Sequence, residues 1–412
     1  MVETSQPGVY MSGNIDHLIS PDEQAAIRRP IEKARTLPRQ AFISRDVYNL
    51  ETERIYSRHW VAAVFTYDAE NPGDVKKFDV CGMPFIAVRA TDNTLRTFHN
   101  ICPYDGCPVV MESKNSLEKL VVPYHGWEYS LDGKLVAMPY WNGYEDCTAD
   151  ALAPGEGDLK QVNSVVWQGL LFINLSDNSE PFSDYIQPVI NLLEEYDLKK
   201  LEIARDQEGM PFLTEDTIDT NWKTYCENAC LNVLHESFTH RMYNESSDVP
   251  RVDRDGNRTF QPVHDGALVG FSYNHAELTD TYPELPCPPL SRTDKPSPKS
   301  GYFLTLYPNL YLVVMPNIIE IGIALPDGPD KTIEMRGYYC HKSAANDPAL
   351  VEAFHEFAEM FEEAAREDNA ITEAIQKTRR SPVCAQQYFS PFWDQPHYNF
   401  TRLVLDDLTL CD

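Results

Sequence analysis

Up to about residue 40 the chain is polar, and "SPDEQAAIRRPIEKARTLPRQ" predicts an arm holding a short helix or two that ends near Pro38. In "SRDVYNLETERIYSRHW" the apolar residues Val47, Leu50, Ile55 and Tyr56 recur at helical spacing. Ser44 can cap this run and acids fill its first turns, which predicts a surface helix that delivers Trp60 to the core. From Val61 to about Leu175 the period changes to short alternating runs such as "WVAAVFTYDA", "DVKKFDVCGMPFIAVRA" and "VVWQGLLFINLS". Turn signals "NPGD", "TDNT" and "LDGK" separate them, so this stretch is an antiparallel all-β unit.

Beyond "SDNSEPFSDY" the pattern is mixed. A helix is expected near 183–197 and strands near 201–218, followed by "NWKTYCENACLNVLHESFTH". The Pro- and charge-rich "PELPCPPLSRTDKPSPKSG" reads as an exposed loop of the kind that covers a site. Strands return in "YFLTLYPNLYLVVMPNIIEIGIALPD" and "TIEMRGYYC", a long helix covers about 347–378, and "FTRLVLDDL" closes the chain. No internal repeat is present. The pattern divides the chain into an arm and helix over 1–60, a β domain over 61–175 and an α+β domain over 176–412.

Composition adds limits. The 412 residues, 42% of them hydrophobic, leave room for two domains and a sizeable core. No apolar run approaches the roughly 20 residues that cross a bilayer, and the N-terminus shows no secretory pattern, so the expected location is cytoplasmic with no membrane contact. Ten scattered cysteines then read as reduced thiols, mostly small buried hydrophobes. A net charge of −28 would repel a phosphate backbone and excludes nucleic acid as a natural partner.

Two places carry candidate chemistry. His235 and His240 stand five residues apart, about 140° around a regular helix, so both face one ion only if the helix ends or bulges between them. Alone, "HESFTH" is more often incidental than a ligand pair. The long helix adds weight, because its apolar stripe runs Phe354, Phe357, Phe361, Ala364, then Asp368, then Ile371 and Ile375. An aspartate on such a stripe is costly unless it is paired or holds a metal. Glu356, Glu359, Glu362, Glu363 and Glu367 lie mainly off the stripe and read as a solvated face. Two histidines and one carboxylate make the facial triad of a non-haem Fe(II) site, with positions left open for dioxygen and substrate.

The second place is the pair "HNICPYDGCPVV" and "VVPYHGWEYSLDG". A Rieske [2Fe–2S] centre needs Cys-x-His and, some seventeen residues on, Cys-x-x-His, giving two thiolates on one iron and two imidazoles on the other. Here the frame reads Cys102, Tyr104, Val122 and His125. Each iron would lose one ligand, and valine coordinates nothing, so a normal cluster is expected to be absent. Cys107 or Cys81 could substitute, although nothing in the spacing favours either over a buried thiol.

Taken together, "TFHNICP", "YHGWEYSLDGKL", "QGLLFINL", "NWKTYCENACLNVLHESFTH", "LYPNLYL" and "REDNAITEAIQ" resemble the large (α) subunit of Rieske-type non-haem iron oxygenases, the ring-hydroxylating and choline or carnitine monooxygenase-like group. The resemblance implies an α+β protein, with an N-terminal all-β Rieske-like domain followed by a helix-grip (START-like) catalytic domain. It also implies His235, His240 and Asp368 as iron ligands. Asn228, Glu227 and Glu236 are candidates for orienting a ligand imidazole. Two further departures stand out. Asp105 replaces the family's usual arginine, and Leu231 replaces the acid that links one subunit's cluster to its neighbour's iron in a head-to-tail ring.

The expectation is an Fe(II)- and O2-dependent oxidoreductase without its own cluster, acting on a small organic molecule in a trimer-type homo- or hetero-oligomer. Its electrons come from a partner protein or from the substrate itself, and Leu231 favours the substrate. The competing expectation is a supporting, non-catalytic subunit whose sister chain carries the cluster.

Overall fold

In a computed structural model the protein is described over residues 15–241, 252, 255–275, 285–292 and 295–410. After a 3-10 turn over Ile15–His17, α1 (Pro21–Ile27) opens on a capping box in which Ser20 Oγ accepts from Glu23 N and the Glu23 carboxylate accepts from Ser20 N at 2.8 Å. After α2 (Gln40–Ile43), α3 (Arg45–Glu51) starts at Ser44, whose hydroxyl accepts from Asp46 N as expected. A π-turn over Thr52–Tyr56 extends it, and Val47, Leu50, Ile55, Tyr56 and Trp60 are all buried.

The next segment is antiparallel β throughout. Strands β1 (Val61–Phe65), β2 (Val75–Val80), β3 (Met83–Arg89), β4 (Leu95–His99), β8 (Gln161–Trp167) and β9 (Leu170–Asn174) form one sheet in the order β1-β9-β8-β4-β3-β2. Between β4 and β8 the chain makes a small second sheet of β5 (Leu120–Val121), β6 (Glu128–Tyr129) and β7 (Leu135–Ala137). Alternation along β3 turns Phe85 and Ala87 to the main core, and Ile86 and Val88 to a separate cluster. That cluster also holds Cys102, Val122, Trp127 and Tyr129.

After α4 (Phe182–Leu192), strands β10 (Leu201–Ile203), β11 (Leu213–Ile218), β12 (Phe260–Asp265), β13 (Leu268–Asn274), β14 (Ser300–Leu306), β15 (Leu310–Val314), β16 (Ile318–Pro326) and β17 (Thr332–His341) build one antiparallel sheet. Its order is β10-β17-β16-β15-β14-β13-β12, with β11 also on β17. Pairing of Tyr311 with Gly322, Val313 with Glu320, Glu320 with Tyr338 and Gly322 with Arg336 sets these side chains, and Glu334, on one face. Gly322 is required there, since a Cβ would lie 2.0 Å from Tyr311 Cζ. Asn309 ties this domain to the first, with Nδ2 donating to Ala62 O at 2.8 Å and Oδ1 accepting from Ala62 N at 3.1 Å.

Helices α5 (Trp222–Leu231), α6 (Val233–Thr239), α7 (Val351–Arg379) and α8 (Gln395–Thr409) complete the domain. Helix α7 lies across the sheet face, with Phe357 and Phe361 edge-on to Tyr338 at ring separations of 6.0 and 6.3 Å. Past Asp368 the expected stripe fails: Ile371 and Ile375 are exposed, while Thr372, Gln376 and Arg379 are buried. The helical period carries the inner face by steps of four here, and that face is polar because it grips backbone and charge. Gln376 Nε2 donates to Phe42 O, Thr372 O accepts from Thr220 Oγ1, and the Arg379 guanidinium covers the Phe42 ring at 3.4 Å.

The Pro-rich stretch also departs from expectation. In its described part Leu285, Cys287 and Leu290 are buried, and Leu290 is held by backbone bonds to Asp197 N and Pro316 O. Residues 276–284 and 293–294 lie outside the described residues. Among the described residues no helix is long and apolar enough to cross a membrane.

Candidate metal centre

Helix α5 starts at Asn221, whose side chain accepts from Lys223 N at 3.1 Å, and it ends at Leu231. Asn232, at φ −118° and ψ 89°, breaks the run, and α6 lasts only to Thr239. His240 is already extended, at φ −87° and ψ 121°. The helix therefore ends between the two histidines, which is the condition under which they can share an ion. Their rings stand 5.3 Å apart.

Asp368 on α7 meets them. His235 Nε2 is 3.3 Å from Asp368 Oδ1, His240 Nε2 is 3.5 Å from Asp368 Oδ2, and one ligand atom from each residue lies within 4.8 Å of the others. Bonds of about 2 Å to one ion set neighbouring donors roughly 3 Å apart, so this spacing fits a metal. His235 Nδ1 is bonded to the Asn232 carbonyl, which leaves Nε2 facing the carboxylate. That Nε2 is buried and has no hydrogen bond among the described residues, an orphan that a metal bond would satisfy. Burial depresses the His235 pKa, but Asp368, Glu236 and the Asn232 carbonyl together outweigh it and the net direction is upward.

The supporting residues differ in part from expectation. Asn228 Nδ2 donates to Asp368 Oδ1 at 3.2 Å, so it orients the carboxylate and not an imidazole. Glu236 lines the same cavity; burial raises it to about 7, with His235 opposing and Asp368 adding. Glu227 is a correction. It is buried, faces Arg379 and His397 at 3.2 Å each, and is absent from the cavity wall. His397 and Arg379 together overcome the effect of burial and hold its carboxyl down at about 2. Glu367, read from the pattern as solvated, instead holds His240 Nδ1 at 3.1 Å and accepts from Arg241 N. Leu231, at the position of the family's linking acid, is fully buried in the core.

The cavity at these residues has a volume of about 90 Å³. Tyr225, Phe303, Tyr311 and Phe361 wall it, and Glu320, Glu334 and Arg336 also reach it. The sequence offered one signal for the last three: charged residues set into otherwise apolar strand text, "NIIEIGIALP" and "TIEMRGYYC".

In the β domain each of the two loops is closed by backbone hydrogen bonds. Cys102 N bonds Cys107 O, Gly106 N bonds Cys102 O, Val122 N bonds Trp127 O and Gly126 N bonds Val122 O. The side chains do other things. Cys102 is buried with Sγ 3.6 Å from Tyr129 OH, and Val122 is a core residue. Tyr104 stacks on Trp127 at 5.1 Å, and His125 Nδ1 pairs with Asp105 Oδ2 at 2.5 Å. Cys107 Sγ bonds the Pro108 carbonyl, and Cys81 packs against the main core, apart from the cluster that holds these loops. The four frame positions thus supply two metal donors, a set that does not fit a four-ligand cluster. Among the described residues, the triad is the group of three or more potential ligands that converges.

The Rieske [2Fe-2S] domain family matches residues 59–152, so that domain is present whatever its ligands. The chain is 28% identical over 207 residues to the glycine betaine monooxygenase oxygenase subunit of Chromohalobacter salexigens, a match spanning 50% of this chain and 44% of that relative, under half its length. It is 22% identical over 433 aligned residues to the anthranilate 1,2-dioxygenase large subunit of Burkholderia cepacia, spanning 95% and 98%. The solved structure of a quaternary ammonium Rieske monooxygenase of carnitine oxidation shares the fold, with a TM-score of 0.72 at 18% identity over 93% of this chain and 98% of that one. The catalytic-domain family of ring hydroxylating alpha subunits matches residues 194–406, more than half of the 412, and the chain belongs to that family.

Proposed function

We propose that this protein is an Fe(II)- and O2-dependent oxygenase of a small organic molecule, with iron held by His235, His240 and Asp368 and no [2Fe–2S] cluster of its own. The observation that carries this reading is the convergence of those three ligands around the orphaned His235 Nε2. A bound Fe(II) would supply Lewis acidity and open positions for dioxygen. The chain's own residues do the remaining work. The Asn232 carbonyl and Glu367 fix the two imidazoles so that each points an Nε2 at the same point. Asn228 steadies the carboxylate, and aromatic side chains wall the cavity beside it.

Electrons come from the substrate or from a partner protein, since Cys102 and His125 alone cannot hold a four-ligand cluster and Leu231 offers no acidic link. The relatives named for glycine betaine and carnitine make a small charged organic substrate the first class to screen. A multimeric ring, with itself or with a sister chain, belongs to the same reading. The alternative, a supporting subunit beside a cluster-bearing sister, draws on the same changes at Val122 and Leu231 and differs in requiring no iron.

Metal analysis tests these together. Protein reconstituted anaerobically with Fe(II) is expected to hold about one iron per chain with no acid-labile sulfide and no Rieske-type visible absorption. Sulfide with additional iron would overturn the cluster-less reading, and no iron at all would overturn the oxygenase. A finer check uses Glu367→Gln, which keeps the shape but weakens the grip on His240. It is expected to lower iron affinity by about 10-fold or more, the usual effect of losing such a partner, measured by competition with a chelator. Unchanged affinity would remove Glu367 from the site.

A further inference from the structure

The sheet face beneath α7 carries an arrangement that the metal triad does not use. Glu320 on β16 and Glu334 on β17 line the cavity and are 5% and 1% exposed, yet the Oε2 atom of each has no hydrogen bond among the described residues. Buried acceptors of this kind are rare in native proteins because each forgoes its hydration. Glu334 is half satisfied: its Oε1 accepts from Tyr225 OH and, at 2.8 Å, from Tyr311 OH, and it lies 3.6 Å from Arg336 Nη1. Arg336 Nε is committed to Thr214 Oγ1 at 2.9 Å. One guanidinium therefore serves two carboxylates, and among the described residues Glu320 has no counter-ion of its own.

A purely structural role would leave no such remainder. An ion pair that only filled the core would be balanced in charge and closed in hydrogen bonds, since a half-satisfied buried network is costlier than an apolar one. The remainder here is two acceptor oxygens and, when both carboxylates are ionised, one negative charge, on residues that line a cavity walled by Tyr225, Tyr311, Phe303 and Phe361. Burial and the neighbouring Glu334 raise Glu320 to about 7 against the pull of Arg336, so an arriving cation would favour its ionised form. Aromatic rings around a cation add attraction through their faces.

We propose that Glu320 and Glu334 form the recognition floor for a protonated amine, a small cationic substrate whose ammonium carries at least one N–H. The N–H matters because both unsatisfied atoms are acceptors and a quaternary ammonium has no hydrogen to donate. The inference rests on the oxygenase reading for the site that the amine faces, and it assigns specificity to residues that hold no metal.

The test is anaerobic titration calorimetry on the full chain after Fe(II) reconstitution, with trimethylammonium, tetramethylammonium and tert-butanol as probes of similar size. Trimethylammonium is expected to bind, tetramethylammonium to bind at least about tenfold more weakly, and tert-butanol to give no heat, as a charge-assisted hydrogen bond requires. Glu320→Gln is expected to weaken trimethylammonium by about tenfold with iron content unchanged. Equal binding of the two cations overturns the N–H requirement, binding of all three probes overturns the cation, and iron loading without any amine binding overturns the subsite. The wild-type series decides these points even if the variant fails to fold. Selective amine binding by a chain that takes up no iron would support the subsite and sink the oxygenase reading alone.

Discussion

Asp368→Ala is expected to reduce bound iron from about one per chain to below about a tenth of that while the protein stays folded. The carboxylate is the one anionic donor among the three convergent ligands, and it stands between the two imidazoles at 3.3 and 3.5 Å. Without it, two imidazole nitrogens remain as the convergent donors. Folding should survive because, among the described residues, the polar contacts of this side chain are with Asn228 and those two histidines, and removing a partly buried charge relieves a desolvation cost. Iron content after dialysis, read beside a thermal melt, checks both halves. Retained iron in a folded variant would place the metal elsewhere.

The largest effect on stability is expected at Glu51, far from the chemistry. Lys223 and Glu51 are 0% and 1% exposed in their side chains and pair at 2.5 Å, with Trp222 Nε1 donating to the second carboxylate oxygen at 2.9 Å. Glu51→Gln would leave a buried ammonium without its anion, which costs about 3–5 kcal/mol. Urea denaturation of both proteins measures the loss, and a difference below about 1 kcal/mol would mean that water reaches Lys223. The pH dependence carries a sign of its own. Burial lowers the Lys223 pKa below its ordinary 10.5 and Glu51 opposes this, so without Glu51 it falls further. Between the lowered folded value and 10.5 the unfolded chain binds the extra proton, so the variant should gain stability as pH rises through that window.

Legibility from sequence followed the range of the interactions. The cap at Ser44, the β unit and the long helix depend on neighbours a few residues away, and the local pattern announced them. Asp368 was legible as an acid on an apolar stripe. The convergence of His235 with His240 was legible only as a condition, because the backbone at Asn232 and His240 decides it. Glu227 was misread for a different reason. Its partner Arg379 lies 152 residues away, and nothing near Glu227 in the chain reveals that pairing. Glu367 and Asp368 illustrate the same limit at close range. Adjacent on α7, they reach opposite nitrogens of one imidazole, which only the placement of His240 makes possible.

Helix α7 also acts as a spacer of set length. At one end of the segment from Asp368 to Arg379 the helix carries the carboxylate proposed to hold iron, and at the other Gln376 and Arg379 clasp α2 and α5. A single residue inserted between them would swing the carboxylate about 100° around the axis and shift it by about 1.5 Å, while the clasp kept its hold. Substitutions along the outer side of this segment, at Ile371 or Ile375, change neither phase nor distance. The stretch is therefore tolerant in composition and intolerant in length, and drift among relatives should show there as exchanged residues without gaps.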